Sequence, residues 1–105
     1  MEELSPTAFA ARRACGEQLT LLDVREPWEL EIARIDGAVH IPMREIAGRI
    51  SELDAAEPVV VICHSGIRSA RVAHYLESQG FRAVFNLTGG TDAWSRLIDP
   101  RVPRY

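Results

Sequence analysis

The residues best equipped for chemistry stand together in one run of this 105-residue chain, Cys63-His64-Ser65-Gly66-Ile67-Arg68-Ser69. A thiol at the start of such a run sits where loop N–H groups can converge on one centre, as in other anion-binding loops. A helix beginning just after it adds a partial positive charge, and Arg68 adds a full one. That setting favours the thiolate, which is the nucleophilic form of cysteine. Gly66 allows positive φ or close approach of an anion. Ser65 and Ser69 can donate hydrogen bonds to the sulfur or to a bound anion, and Ile67 completes the cradle. His64 either tunes Cys63, meets the substrate, or is simply solvated. A lone cysteine is more often a small buried hydrophobe; here the Gly, the Arg and the helix start favour a reactive thiol.

The rest of the composition excludes several other chemistries. All 12 basic residues are Arg and none is Lys, which removes Schiff-base catalysis and the lysine of phosphate-binding loops. The arginines are scattered among 15 acids with no basic stripe, so nucleic acid is not the expected partner. Cys15 and Cys63 are far apart, there is no C-x-x-C pair, and His40, His64 and His74 are separated; neither a zinc site nor a disulfide scaffold is expected. No apolar run approaches the ~20 residues of a membrane helix. The acidic opening Met1-Glu2-Glu3-Leu4 lacks the layout of a secretory signal, so the expectation is a cytoplasmic protein.

The elements that must position the thiol read as an alternation. Pro58-Val59-Val60-Val61-Ile62 is β-branched and apolar throughout, as a buried central strand should be, and Cys63 follows it directly. Thr20–Val24, Ala38–Ile41 and Ala83–Leu87 read as further short strands. Helices are expected after Ser5-Pro6 over Thr7–Ala14, over Glu26–Ala33, Met43–Leu53, Ser69–Gln79 and Thr91–Ile98. Asp99–Tyr105 is a Pro-broken tail, either packed along the surface or loose. Strands alternating with helices predict one α/β domain over residues 1–105, with a parallel sheet covered on both faces. Sites in such sheets lie beyond the carboxyl ends of the strands, where Cys63 stands.

In order along the chain, Leu21-Leu22-Asp23-Val24-Arg25-Glu26, Ile35-Asp36-Gly37-Ala38-Val39-His40-Ile41-Pro42, Val59–Ser69, Gly80-Phe81-Arg82-Ala83-Val84 and Leu87-Thr88-Gly89-Gly90-Thr91-Asp92-Ala93-Trp94 resemble the single-domain rhodanese family of sulfurtransferases. The family's usual His-Ile-Pro-Gly is replaced by Ala33-Arg34-Ile35-Asp36-Gly37, in a connecting loop. The resemblance implies a three-layer rhodanese-like fold with a mostly parallel sheet of about five short strands. It implies that Cys63 takes sulfane sulfur from a small anionic donor such as thiosulfate and holds it as a persulfide. A thiophilic acceptor (cyanide, a thiol or a protein) would then remove it, without metal or organic cofactor. Arg68 would orient the anionic donor.

Two rivals accompany that reading. Cysteine-dependent phosphatases and arsenate reductases resemble this chain but place one residue more between Cys and Arg; the four here, His64 to Ile67, make a tighter cradle, suited to a sulfur atom. The other rival is a sulfur carrier or regulatory module without turnover. Asp23 and Arg25 end a strand and approach the site as supporting residues or form a loop-holding ion pair. His40, His74, Trp28 and Trp94 read as structural, Cys15 as incidental, and the charges of Glu29-Leu30-Glu31 as a solvated face.

Overall fold

The computed structural model describes residues 1–105. The four Val-rich positions of β4 (Val59–Ile62) are all buried, because helices cover both faces of the sheet they lie in. Val59 and Val61 enter one apolar cluster, while Val60 and Ile62 enter the other. This is why the strand reads as a continuous apolar run rather than an alternation. β4 is the middle strand of a five-stranded parallel sheet ordered β1-β5-β4-β2-β3. Its neighbours are β2 (Thr20–Asp23) and β5 (Val84–Leu87), and the edges are β3 (Val39–His40) and β1 (Glu2–Leu4).

Helix α1 (Pro6–Ala14) begins as the Ser5-Pro6 pair requires: Ser5 Oγ accepts the N–H of Ala8, which satisfies one of the unpaired first-turn donors. Its Phe9 packs against Trp94 of α5 (Gly90–Leu97), and both join the cluster on one face of the sheet. On the other face Val72, Ala73 and Leu76 of α4 (Ile67–Ser78) meet Leu22, Val59, Val61 and Ile46. The three-layer α/β architecture expected from the sequence is therefore present. No helix is long and apolar enough to cross a membrane.

One strand goes unread in the sequence, and three expectations need correction. β1 carries no apolar pattern, since Glu2 and Glu3 face outward on an edge strand; only its pairing with β5 reveals it. The helix expected over Met43–Leu53 is broken into a 3-10 turn (Met43–Glu45), α3 (Ile46–Arg49) and a second 3-10 turn (Ile50–Glu52). Met43, Ile46, Ile50 and Leu53 still face the core, so the apolar period survives while Gly48, a poor helix former, sits where the regular helix is short. Helix α4 starts two residues earlier than its apolar pattern, which puts Arg68 and Ser69 in its first turn. Trp28, expected to pack, is 58% exposed.

The tail is packed: Val102 is buried and Ser95 Oγ donates to its carbonyl. At the start of α5, Gly90 has φ +59, and a Cβ there would run into the carbonyl oxygens of Cys63 and His64. Gly90→Ala is expected to cost at least about 2 kcal/mol through steric overlap and positive φ. Urea unfolding checks this, and an unchanged midpoint would contradict the close approach.

Candidate active site

Cys63 directly follows β4, the middle strand of the sheet, and is 1% exposed. Its Sγ accepts the N–H of Gly66 at 3.0 Å and lies 3.3 Å from Ser69 Oγ. Gly66 reaches that position with φ +102, and a Cβ there would press on Gly89 N at 3.4 Å and Leu87 O at 3.6 Å. The loop carbonyls are held elsewhere: Thr91 N–H bonds Cys63 O at 2.9 Å, and Asp92 N–H bonds His64 O at 3.1 Å. The amides of Ile67, Arg68 and Ser69 precede the first hydrogen bond of α4, from Ala70 N–H to Gly66 O, and remain as donors at its N-terminus. One converging amide, a hydroxyl and a helix start therefore surround the sulfur.

Ser69 is tied in turn to Asn86. Asn86 Nδ2 donates to both Glu3 carboxylate oxygens and to Gly66 O. That turns Oδ1 toward Ser69, which donates its hydroxyl proton to it. With that proton committed, the thiol fills the 3.3 Å contact with its own S–H; when Cys63 ionises, the Ser69 hydroxyl can turn to the sulfur. Asn86 was not singled out from the sequence. Its signal was a polar residue inside the buried strand Val84–Leu87.

Asp23 and Arg25 resolve as a buried ion pair. Arg25 Nη2 meets Asp23 Oδ2 at 2.7 Å, with neither side chain exposed, and Asp23 Oδ1 also accepts the backbone N–H of Arg25. The guanidinium donates further to Ala33 O at 2.8 Å and to the Tyr105 hydroxyl at 2.9 Å. Burial opposes the Arg25 charge, but the bonds to Asp23 and Tyr105 outweigh it and hold the group above its ordinary value. His40 Nε2 contacts Arg25 O at 2.6 Å, a structural role as expected.

The reading of Glu29 as part of a solvated face is overturned: it is 3% exposed. Both terminal nitrogens of Arg68 donate to it, at 2.7 and 2.8 Å. It also accepts the Tyr105 hydroxyl at 2.8 Å and the Glu26 N–H at 2.9 Å. The bonds from Arg68 above all, against the cost of burial, bring its carboxyl from 4.5 down to about 2. Arg68 therefore stands in the first turn of α4 as one half of an ion pair, its side chain still 35% exposed. Ser65 and Ile67 are exposed, Ile67 at 69%, and of the two serines Ser69 is the one beside the sulfur. The His64 ring stacks on Tyr105 at 4.3 Å between centroids, and Trp28 meets Tyr105 edge-on at 6.1 Å. Nothing in a Pro-broken tail signals that its last aromatic closes over a loop 40 residues earlier.

The profile of the "Rhodanese-like domain" family matches residues 5–97. A protein of Allochromatium vinosum named "Sulfurtransferase" is 38% identical over 96 residues, covering 91% of this chain and 90% of its own. "Thiosulfate sulfurtransferase GlpE" of Vibrio cholerae is 34% identical over 84 residues, covering 80% and 79%. The crystal structure of a rhodanese-like domain protein from Staphylococcus aureus superposes with a TM-score of 0.86 at 27% identity, covering 100% of this chain and 99% of that one. Against longer relatives the chain spans only part: 31% of an Arabidopsis thaliana protein and 50% of Bacillus subtilis YrkF.

The Glu29–Arg68 pair makes a pH prediction. Because the folded-state value of Glu29 lies below its unfolded one, the stabilisation is complete above pH 4.5 and is lost as pH falls toward 2. Glu29→Gln is expected to lower the unfolding free energy at neutral pH by about 3 kcal/mol. The gap from the unmodified protein should narrow steadily below pH 4.5. Denaturant titrations of both proteins across that range test it; a gap independent of pH would refute the assignment.

Proposed function

The chain belongs to the rhodanese-like family, and from that premise we propose that it is a sulfurtransferase working through a persulfide on Cys63. What carries the reading is the sulfur at the end of the central strand, bonded by Gly66 N–H and beside Ser69 Oγ. Relatives that carry sulfurtransferase names align with it over most of their length. In the first half-reaction the Cys63 thiolate attacks the outer sulfur of thiosulfate or a related sulfane donor. A bond forms between the two sulfurs, the bond from the outer sulfur to the leaving group breaks, and sulfite departs with that electron pair when thiosulfate is the donor. In the second, a thiophilic acceptor (cyanide, a thiol or a protein thiol) attacks the terminal sulfur and restores the thiolate. Two such steps at one nucleophile predict ping-pong kinetics.

The residues around the sulfur suit a single-atom anion. Gly66 N–H and the first amides of α4 oppose negative charge on the terminal sulfur of the persulfide without reorganising. Ser69, held beside Cys63 by its bond to Asn86, can turn its hydroxyl from Asn86 to donate a hydrogen bond to whichever sulfur bears the charge. Asp23 and Arg25 support the loop after β2 rather than touch the donor. His64, next to the nucleophile in the loop, packs against Tyr105. Mass spectrometry after treatment with a sulfane donor is expected to show one added sulfur atom on Cys63. Cyanide should remove it, and Cys63→Ser should not acquire it. Loading without turnover would mark a carrier, and turnover of an aryl phosphate dependent on Cys63 would replace this reading with a phosphatase.

A further inference from the structure

The hydrogen bonds behind the thiol run to the edge of the sheet. In the register of β1 and β5, Glu3 stands opposite Asn86, so the two side chains rise from the same face. Asn86 Nδ2 donates to both Glu3 oxygens, at 3.2 and 3.1 Å, and to Gly66 O at 3.1 Å. Thr88 Oγ1 donates to Glu3 Oε1 at 2.8 Å and holds the carboxylate there. An amide carries both its hydrogens on one side, so acceptors from Glu3 and Gly66 on that side turn Oδ1 toward Ser69. The Ser69 hydroxyl donates to Oδ1 and lies 3.3 Å from Cys63 Sγ. Asn86 and Ser69 are 3% and 0% exposed, so solvent does not readily replace a bond lost between them.

Ser69 has one hydroxyl proton and two neighbours able to accept it. Directed at Asn86 Oδ1, it leaves the 3.3 Å contact to the S–H of Cys63. Directed at the sulfur, it stabilises the thiolate but strands a buried amide oxygen. A charged acceptor on the amide N–H strengthens the carbonyl end as an acceptor in turn. Without Glu3 the amide is held by Gly66 O alone, and Oδ1 competes less well for the Ser69 proton. We propose that Glu3 is a positioning residue for the nucleophile: by fixing the Asn86 amide, it keeps the Ser69 hydroxyl on Asn86 and restrains ionisation of Cys63. The inference rests on the reading of Cys63 as the sulfur-carrying nucleophile and makes the start of that reaction depend on the edge strand. On ionisation the thiol proton leaves to solvent, and Ser69 exchanges one hydrogen-bond acceptor for the other.

The other charged and titratable groups around the loop are His64, the pairs Arg68–Glu29, Arg25–Asp23 and Arg104–Asp92, and the Tyr105 hydroxyl between Arg25 and Glu29. All are common to the variants compared. The test follows iodoacetamide alkylation of Cys63 against pH, read by peptide mass to separate it from the exposed Cys15. Glu3→Ala should alkylate about threefold faster below neutral pH and at the same rate on the alkaline plateau. Glu3→Gln keeps an acceptor for Asn86 Nδ2 and should stay close to the unmodified protein. In a Ser69→Ala background, adding Glu3→Ala should change nothing, because the hydroxyl through which Glu3 acts is gone. Equal acceleration in Glu3→Gln and Glu3→Ala, or a Glu3 effect that persists without Ser69, would assign the effect to bare charge and overturn the inference. An unmoved profile in folded Glu3→Ala overturns it too. Should Glu3→Ala fail to fold, Glu3→Thr, a better strand former with a side chain too short to reach Asn86, decides in its place. Alkylation needs no sulfur donor: the expected profiles without sulfur loading would overturn sulfur transfer alone, and loading with unmoved profiles would overturn the role of Glu3 alone.

Discussion

The N–H groups of Thr91 and Asp92 bond the carbonyl oxygens of Cys63 and His64, and that pair of bonds orients the loop on which the site depends. The carbonyl and N–H of a trans peptide point in opposite directions. Carbonyls drawn toward α5 turn the His64 and Ser65 amides to the other side of the loop, and Gly66 N–H, in the next peptide, reaches the sulfur. Because a buried carbonyl without a partner is costly, the arrangement is maintained by the same bonds that start α5. Gly90 is the condition for it, since any side chain at that position would occupy the space of the two carbonyl oxygens.

A second layer of polar contacts fixes the loop from below and from the side. Asp23–Arg25 and Glu29–Arg68 are largely buried pairs, and such pairs contribute little net stability when compared with apolar packing. Their value here is geometric. Arg25 ties the end of β2 to Ala33 and Tyr105, and Glu29 ties α2 (Pro27–Ile32) to the first turn of α4 and again to Tyr105. Three segments distant in sequence thus share one network, and removing one member of either ion pair leaves a charge without its partner.

Much of this was legible beforehand, for physical reasons that can be located. A strand buried on both faces needs an unbroken apolar run, so Val59–Ile62 identified itself and with it the position of Cys63. A helix needs a cap, and Ser5-Pro6 announced α1. Strand β1 was invisible because a parallel edge strand gains its stability from hydrogen bonds to β5, some 80 residues away, and Glu2 and Glu3 face water. The start of α4 was misplaced because Ile67 and Arg68 turn away from the core, so the apolar period begins only after them. The exposed face assigned to Glu29 failed for the converse reason: charge type says nothing about which side of a six-residue helix meets a partner.

The residues alone determined the class of fold, the strand that leads to the thiol, and the loop in which Gly66 permits positive φ, because these follow from local periodicity and backbone sterics. The tertiary structure decided which groups the thiol meets and which charges remain free. The sequence placed Arg68 in the loop but not Glu29, which the fold brings to it. Asn86 looked like a strand residue until Ser69 and Gly66 were placed beside it. Ion pairs and hydrogen bonds form between side chains that meet only when distant segments pack, and a linear pattern carries no record of that encounter.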